Sequence, residues 1–278
     1  MSGHQMSESI LSRTDMEEYL AGRKLYGDDF SLPEIQKWYE DEREGYAKLG
    51  DKSRASYAYE YHSLNRLHGF RFIRGKRFRS ALGLGSAYGD EFLPIVSQID
   101  HITILDPSDA FRVTDVGGVP CDYLKPSIDG LMPFEDGSFD LAICLGVLHH
   151  IPNVTTVVKE LYRCLSQGGR LLLREPIDSR GDWSKPRRYA TKRERGIPLH
   201  ILDAIAAGAG FRVISRRLCV CPPVPKICIR LGVHPFNCPV VTRIDAVLSR
   251  LLRWNVRYHP TRLYHKIRPT SVYFVLAK

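Results

Sequence analysis

From about residue 77 onward, short apolar runs alternate with amphipathic stretches, and this alternation is the strongest signal in the chain. Ser80 to Leu84 is apolar and runs into a glycine-rich turn with Gly83, Gly85 and Gly89. Ile102-Thr103-Ile104-Leu105 follows and stops on a lone carboxylate, Asp106. Leu141 to Leu145 and Leu171 to Glu175 are further short runs of the kind that buried strands show. Between them Val157, Val158, Leu161, Tyr162 and Leu165 recur at helical spacing. Leu199 to Ala209 reads as a helix stopped by Gly210, with a strand over Phe211 to Ile214 after it. A final strand is predicted over Ser271 to Leu276. Strands alternating with helices predict a parallel sheet covered on both faces. Residues 1–76 differ: they are rich in Glu, Tyr and Lys and read as helices, with Pro33 suited to a first helical turn and a break at Asp51-Lys52-Ser53-Arg54.

A strand, a glycine turn, a helix and a second strand tipped with an acid form half of a nucleoside-binding βαβ unit. Glycines let the backbone approach the ligand, and the acid takes two ribose hydroxyls. A dinucleotide dehydrogenase shares both features. It prefers GxGxxG, however, and here Gly83, Gly85 and Gly89 are spaced one residue longer.

The following motifs point elsewhere. Leu131-Met132-Pro133-Phe134-Glu135-Asp136-Gly137-Ser138-Phe139-Asp140 leads into the Leu141–Leu145 strand. The turn Gly146-Val147-Leu148-His149-His150-Ile151-Pro152 comes next, and Gln167-Gly168-Gly169-Arg170 precedes the Leu171–Glu175 strand. In this order the series resembles the class I S-adenosylmethionine-dependent methyltransferases, specifically their broad small-molecule group ("type 11"-like). The resemblance covers roughly Ser80 to Pro176. It implies an α/β, Rossmann-like seven-stranded sheet, six strands parallel and one antiparallel. A helical segment or lid (residues 1–76) would precede the methyltransferase domain (residues 77–278), which holds an insertion over 220–268.

The resemblance also implies a cofactor site for S-adenosyl-L-methionine. Gly83, Gly85, Ser86 and Gly89 would pass their backbone against its methionine part, and Asp106 would hold the ribose. Asp129, Gly130 and Leu131 would meet the adenine, and Leu145 and Gly146 would wall the pocket. Many relatives carry an acid two residues before the first glycine, where this chain has Ala81. Asp90, or a residue of the N-terminal helices, is a candidate replacement.

Methyl transfer needs an acceptor aligned with the donor and, for oxygen or nitrogen, a base to take its proton. His149 and His150 stand just past the fourth strand, where α/β sheets place ligands, and are the candidate bases. Arg174, Glu175, Trp183, Arg187 and Arg188 are candidates for holding the acceptor, since arginines grip phosphates and carboxylates bidentately. The loop that carries the last three is long for its place.

Charge sharpens the acceptor. The chain holds 40 Lys and Arg against 31 Asp and Glu, a net charge of +9. Much of the excess falls between Phe211 and Arg268, where Asp245 is the single acid. Within it, residues 245–257 read as a basic amphipathic helix with Leu248, Leu251 and Leu252 on one face. Such a helix suits peripheral membrane contact, or else it is simply packed with its arginines solvated. Nucleic acid is disfavoured, because no stacking motif, NPPY motif or RNA-binding domain is evident. Seven cysteines at irregular spacing, with His234, do not match a zinc site, and their odd number suits reduced thiols in a cytoplasmic protein. No metal is expected. The expected function is methyl transfer to an O or N of a small or lipid-linked anionic acceptor, with sugar or glycan precursors leading. A non-catalytic cofactor-binding module and an RNA methyltransferase are the alternatives.

Overall fold

A strand that is apolar on both faces gains most at the centre of a sheet, with helices on either side. The computed structural model, which describes residues 13–50, 54–181, 187, 191 and 193–278, puts the apolar runs there. Its strands are β1 (Ala81–Leu84), β2 (Ile102–Leu105), β3 (Asp115–Val116), β4 (Val119–Leu124) and β5 (Phe139–Leu145). The set is completed by β6 (Leu165–Pro176), β7 (Arg212–Cys219) and β8 (Ser271–Ala277). Their spatial order is β3-β4-β2-β1-β5-β6-β8-β7. The neighbours from β4 through β2, β1 and β5 to β6 are parallel. β8 slots between β6 and β7 antiparallel to both, as expected of the last strand.

Within the sheet and its first crossover, several elements differ from expectation, β6 among them, which starts at Leu165 rather than Leu171. A two-residue β3, turned back on β4 at Gly117-Gly118, brings the described strands to eight. β7 runs on to Cys219 because β8 pairs with its whole length. The segment after the glycine turn is a 3-10 helix, Asp90–Gln98, rather than an α-helix; Pro94 inside it has no N–H to donate.

The α-helices are α1 (Arg13–Leu20), α2 (Leu32–Gly50), α3 (His62–His68), α4 (Val154–Cys164), α5 (Leu199–Ala209), α6 (Pro223–Arg230) and α7 (Pro239–Leu251). α4 and α5 bury Val157, Val158, Leu161, Leu202 and Ile205 against one face of the sheet. α3 and the 3-10 helix cover the other with Leu64, Phe92 and Ile95. Near the N-terminus, the fully buried Trp38 packs with Tyr19, Tyr26 and Phe30. Its indole N–H donates to the His150 carbonyl at 2.8 Å, which pins α2 to the loop after β5.

The insertion holds two helices where the sequence suggested one over 245–257. α6 and α7 pack through Cys221, Val224 and Cys228 against Val241, Leu248 and Leu252. Leu251, expected on the same face as Leu248 and Leu252, points outward instead. The reason is Asp245. Its buried carboxylate accepts the Val220 and Cys221 N–H groups at 2.9 and 2.7 Å, and this rotates the polar side of α7 inward.

α3 also carries a titratable device. His68 is buried beside the Tyr273 ring at 6.1 Å, and both its ring nitrogens lack hydrogen-bond partners. Burial pushes its pKa down to about 4 from 6.5. The unfolded chain therefore binds a proton below 6.5 that the folded chain refuses until about 4. Stability is full above that window and falls as pH drops through it. Chemical denaturation at pH 7 and pH 4 should show His68→Leu losing about 3 kcal/mol less than the parent between them.

Candidate active site

The loop after β5 turns sharply at Gly146, whose φ of 80° suits glycine, and its N–H groups then need partners. The fully buried Glu175, near the end of neighbouring β6, supplies them. Its carboxylate accepts from the backbone N–H of Val147 (2.9 Å), Leu148 (2.8 Å) and His149 (3.3 Å). His149 Nδ1 lies 2.9 Å from the same carboxylate. Burial, with His150 alongside, pushes the His149 pKa well below 6.5, so the ring is neutral at physiological pH. Burial also raises Glu175, to about 7, against those three backbone donors. With Nδ1–H donated to Glu175, Nε2 is left as the basic nitrogen.

The carbonyls of the same loop are held by a different charge. Arg195, fully buried, donates to Leu148 O and His149 O (both 3.2 Å), Ile151 O (2.9 Å) and Pro152 O (3.2 Å). Its Nε donates to Tyr26 O at 2.8 Å, which ties the N-terminal segment to the loop. His150 lies on the other side, with Nδ1 3.2 Å from Glu42 of α2. Burial pushes the Glu42 carboxyl up, but hydrogen bonds from His150, Thr191 and Arg193 outweigh it and hold the pKa below the ordinary value.

Two cavities meet at Gly85, Gly146 and Tyr57. One, of about 210 Å³, is mainly apolar and lined by Leu105, Asp106, Pro107, Gly130, Leu131 and Met132, with His150 and Tyr39 at its side. Asp106 Oδ2 accepts Ala87 N–H at 3.1 Å and Oδ1 accepts Ser108 N–H at 2.9 Å, with the Tyr123 hydroxyl alongside, so the carboxylate still has acceptor capacity for a ligand. The other cavity, of about 470 Å³, is polar and lined by Ser86, Glu91, Leu145, His149, Arg174 and Glu175, with Tyr59 and Tyr61 as aromatic walls. Arg174 is 8 % exposed, lies 3.8 Å over the Tyr61 ring, and has an Nη1 without a hydrogen-bond partner among the described residues.

Residues 82–173 match the methyltransferase-domain family. Together with β8 lying between β6 and β7 and the acid-tipped β2, this match supports a class I methyltransferase domain over that segment. The ubiquinone biosynthesis O-methyltransferase of Xanthomonas oryzae pv. oryzae is 36 % identical over 55 residues, 20 % of this chain and 23 % of that protein. A sterol 4-C-methyltransferase of Caenorhabditis elegans is 41 % identical over 54 residues, 19 % of this chain and 16 % of that one. The chain thus spans less than a quarter of the length of these curated relatives. Among solved structures, an S-adenosylmethionine-dependent methyltransferase from Archaeoglobus fulgidus is similar at a TM-score of 0.50, with 13 % identity, covering 78 % of this chain and 92 % of that one.

S-adenosylmethionine is the methyl donor of this domain family, and the residues present fit it. It offers a ribose diol, an adenine, a carboxylate and two cationic centres. The apolar cavity has a half-satisfied carboxylate for the diol and a slot walled by Pro107, Leu131 and Met132 for a flat ring. Close approach of the backbone is built in at Gly85, where φ is 63° and a Cβ would come within 2.6 Å of Val147.

The turn itself sits two residues later than the sequence suggested. Gly83 lies within β1, where a Cβ would collide with Ser86 and Phe92, and the left-handed positions are Gly85, Ala87 and Gly89. The strand position two residues before that turn is therefore Gly83, not Ala81, and it carries no acid. A carboxylate arrives from elsewhere. Glu91, overlooked in the sequence, is buried at the start of the 3-10 helix and faces the polar cavity, with burial raising its pKa to about 7. Asp90 next to it is buried too, but it is engaged in an ion pair with Arg54 at 2.7 Å and lines neither cavity.

Other expected residues are spread. Gly130, Leu131 and Gly146 line the apolar cavity, Ser86 and Leu145 the polar one, while Gly89 packs on Val116. Asp129 turns back to accept Leu131 N–H at 2.9 Å. Arg187 donates to the carbonyls of Arg180, Thr191 and Glu194 and so braces its own loop. Trp183, Arg188 and the Asp51–Ser53 break lie outside the described residues. Tyr57, Tyr59, Tyr61 and Glu42 were missed because nothing in their local pattern marks them; they reach the site only through the packing of the N-terminal segment.

Because Arg195 alone holds four carbonyls of the histidine loop, Arg195→Met should cost about 3–5 kcal/mol in urea denaturation.

Proposed function

We propose that the protein transfers the methyl group of S-adenosylmethionine to an oxygen or nitrogen of a small or lipid-linked anionic acceptor. The observation that carries this reading is the junction of the two cavities at Gly85 and Gly146, with the His149–Glu175 pair and the partnerless Arg174 Nη1 on the polar side. When bound, the cofactor supplies an activated methyl carbon on a sulfonium. Asp106 holds the ribose, and Glu91 replaces the missing strand acid as counter-charge to the ammonium. Gly130 and Leu131 border the adenine.

His149 Nε2 would take the proton of the acceptor hydroxyl or amine as the methyl carbon passes to that oxygen or nitrogen and the donor's carbon–sulfur bond breaks, leaving a neutral thioether. Glu175 holds the ring at Nδ1. Arg174 binds the acceptor's phosphate or carboxylate. A charge-assisted bond there satisfies a guanidinium that burial has otherwise left incomplete. Tyr59 and Tyr61 offer ring faces to the body of the acceptor. A glycan precursor bearing phosphate has both features, a hydroxyl for His149 and an anion for Arg174. His150 and Glu42, on the cofactor side, hold α2 as a lid, which is the role proposed for residues 1–76 ahead of the catalytic residues 77–278. Free thiols at Cys121, Cys144, Cys164, Cys219, Cys221, Cys228 and Cys238 suit the reducing cytosol.

The reading predicts separable kinetic defects with labelled methyl donor and a panel of phosphorylated and neutral hydroxyl compounds. Turnover should require the anionic group. Arg174→Gln should raise acceptor KM at least tenfold with a smaller effect on kcat. His149→Gln should lower kcat about 10²–10³-fold while leaving cofactor affinity within a few-fold. The parent's rate should decline as pH falls towards the depressed His149 pKa, since only the neutral ring accepts the proton. Cofactor binding without turnover on any acceptor would contradict the proposal and favour a non-catalytic module.

A further inference from the structure

α7 is amphipathic in the inverted sense. Its inward face is polar, with Thr242, Asp245 and Ser249 fully buried. Its outward stripe is apolar: Val240, Ile244, Val247 and Leu251, continued by Trp254, are each 49–69 % exposed. Their spacing of four, three, four and three residues keeps them on one side of the helix. The stripe does not end there. Asn255, beside Trp254, donates to Tyr264 O and Ile267 O at 2.8 and 2.9 Å, which anchors a turn exposing Leu263, Tyr264 and Ile267. α6, packed on α7, adds exposed Ile227, Ile229 and Leu231.

Cations accompany this surface, and none of them forms an ion pair among the described residues. Lys226, Arg230, Arg243, Arg250, Arg253, Arg257, Arg262 and Lys266 are all exposed. The one acid of the insertion, Asp245, is buried on backbone N–H groups. Two copies of so basic a face would repel each other, and a neutral apolar partner would leave the cations without use. Apolar side chains with Trp, rimmed by Lys and Arg, are the composition that enters the headgroup boundary of an anionic bilayer.

We propose that residues 223–267 form a membrane-docking surface that inserts the Val240–Trp254 stripe into an anionic lipid bilayer. No helix among the described residues is long and apolar enough to span a membrane, so the attachment is interfacial. The surface is coupled to the polar cavity. Val220, Thr270 and Ser271, at the two stems of the insertion, line that cavity. Phe236, between α6 and α7, stacks on Tyr61 at 5.4 Å, and Tyr61 in turn carries Arg174. Docking therefore brings lipid next to the wall of the cavity. This surface does not depend on the methyl-transfer reading, because its test contains neither cofactor nor acceptor.

The test is sedimentation of the full chain with vesicles of phosphatidylcholine alone or with 30 % phosphatidylglycerol (about one anionic lipid in three), at 0.15 M salt. Binding to the anionic vesicles should exceed binding to neutral ones at least tenfold. Ile244→Asp with Leu251→Asp should reduce it at least tenfold, and Arg243→Glu with Arg250→Glu should do the same. All four positions are exposed, so circular dichroism and the melting temperature should remain those of the parent. Trp254 fluorescence should shift to the blue on binding. Absence of binding to anionic vesicles, undiminished binding by the folded variants, or a stable dimer whose dissociation follows the aspartate substitutions would each overturn the proposal.

Discussion

The site depends on one constraint: the loop from Gly146 to Pro152 must leave the sheet, bend back, and still have its backbone polar groups satisfied away from water. Two buried ions of opposite sign meet that demand. The Glu175 carboxylate collects the N–H groups at the start of the loop, and the Arg195 guanidinium collects the carbonyls at its end. The two are not bonded to each other; Arg195 is bonded to backbone carbonyls, and Glu175 to backbone N–H groups and the His149 ring. The reward is placement. The ring of His149 is held by the same carboxylate that shapes its backbone, and the peptide of His150 is pinned by Trp38 from α2.

That arrangement also separates two parts of the molecule by origin. The strands from β1 to β6 build the apolar cavity, with Gly85, Asp106 and Gly130 in the segments that follow their carboxyl ends. The polar cavity is assembled from additions to that sheet: Tyr57, Tyr59 and Tyr61 before β1, Arg180 after β6, and the stems of the insertion around β7 and β8. Arg174 is the hinge between them, a strand residue whose guanidinium rests on a tyrosine supplied by the N-terminal segment.

The legibility of the sequence followed the range of the interactions involved. Asp106 stood out because an acid ending an apolar run is a local pattern, and α5, stopped by the left-handed Gly210, matched its expected limits of Leu199 and Ala209. The glycine turn was legible as a turn but not in register, since only φ values separate the strand glycine Gly83 from Gly85. Glu91 and Arg195 read as ordinary charged residues; their burial is created by chain segments far away in sequence. α7 misled in a different way. Leu248, Leu251 and Leu252 suggested one packed face, yet Asp245 makes stronger bonds inward than a leucine could, and the helix turned accordingly.

The apolar cavity beneath Gly85 is proposed as a cofactor site organised by Asp106. Isothermal titration with S-adenosylhomocysteine, comparing the parent with Asp106→Ala, addresses it directly. Micromolar binding by the parent and a loss of at least tenfold in the variant are expected, with the fold of both intact. No binding by the folded parent, or equal affinity in the variant, would contradict it.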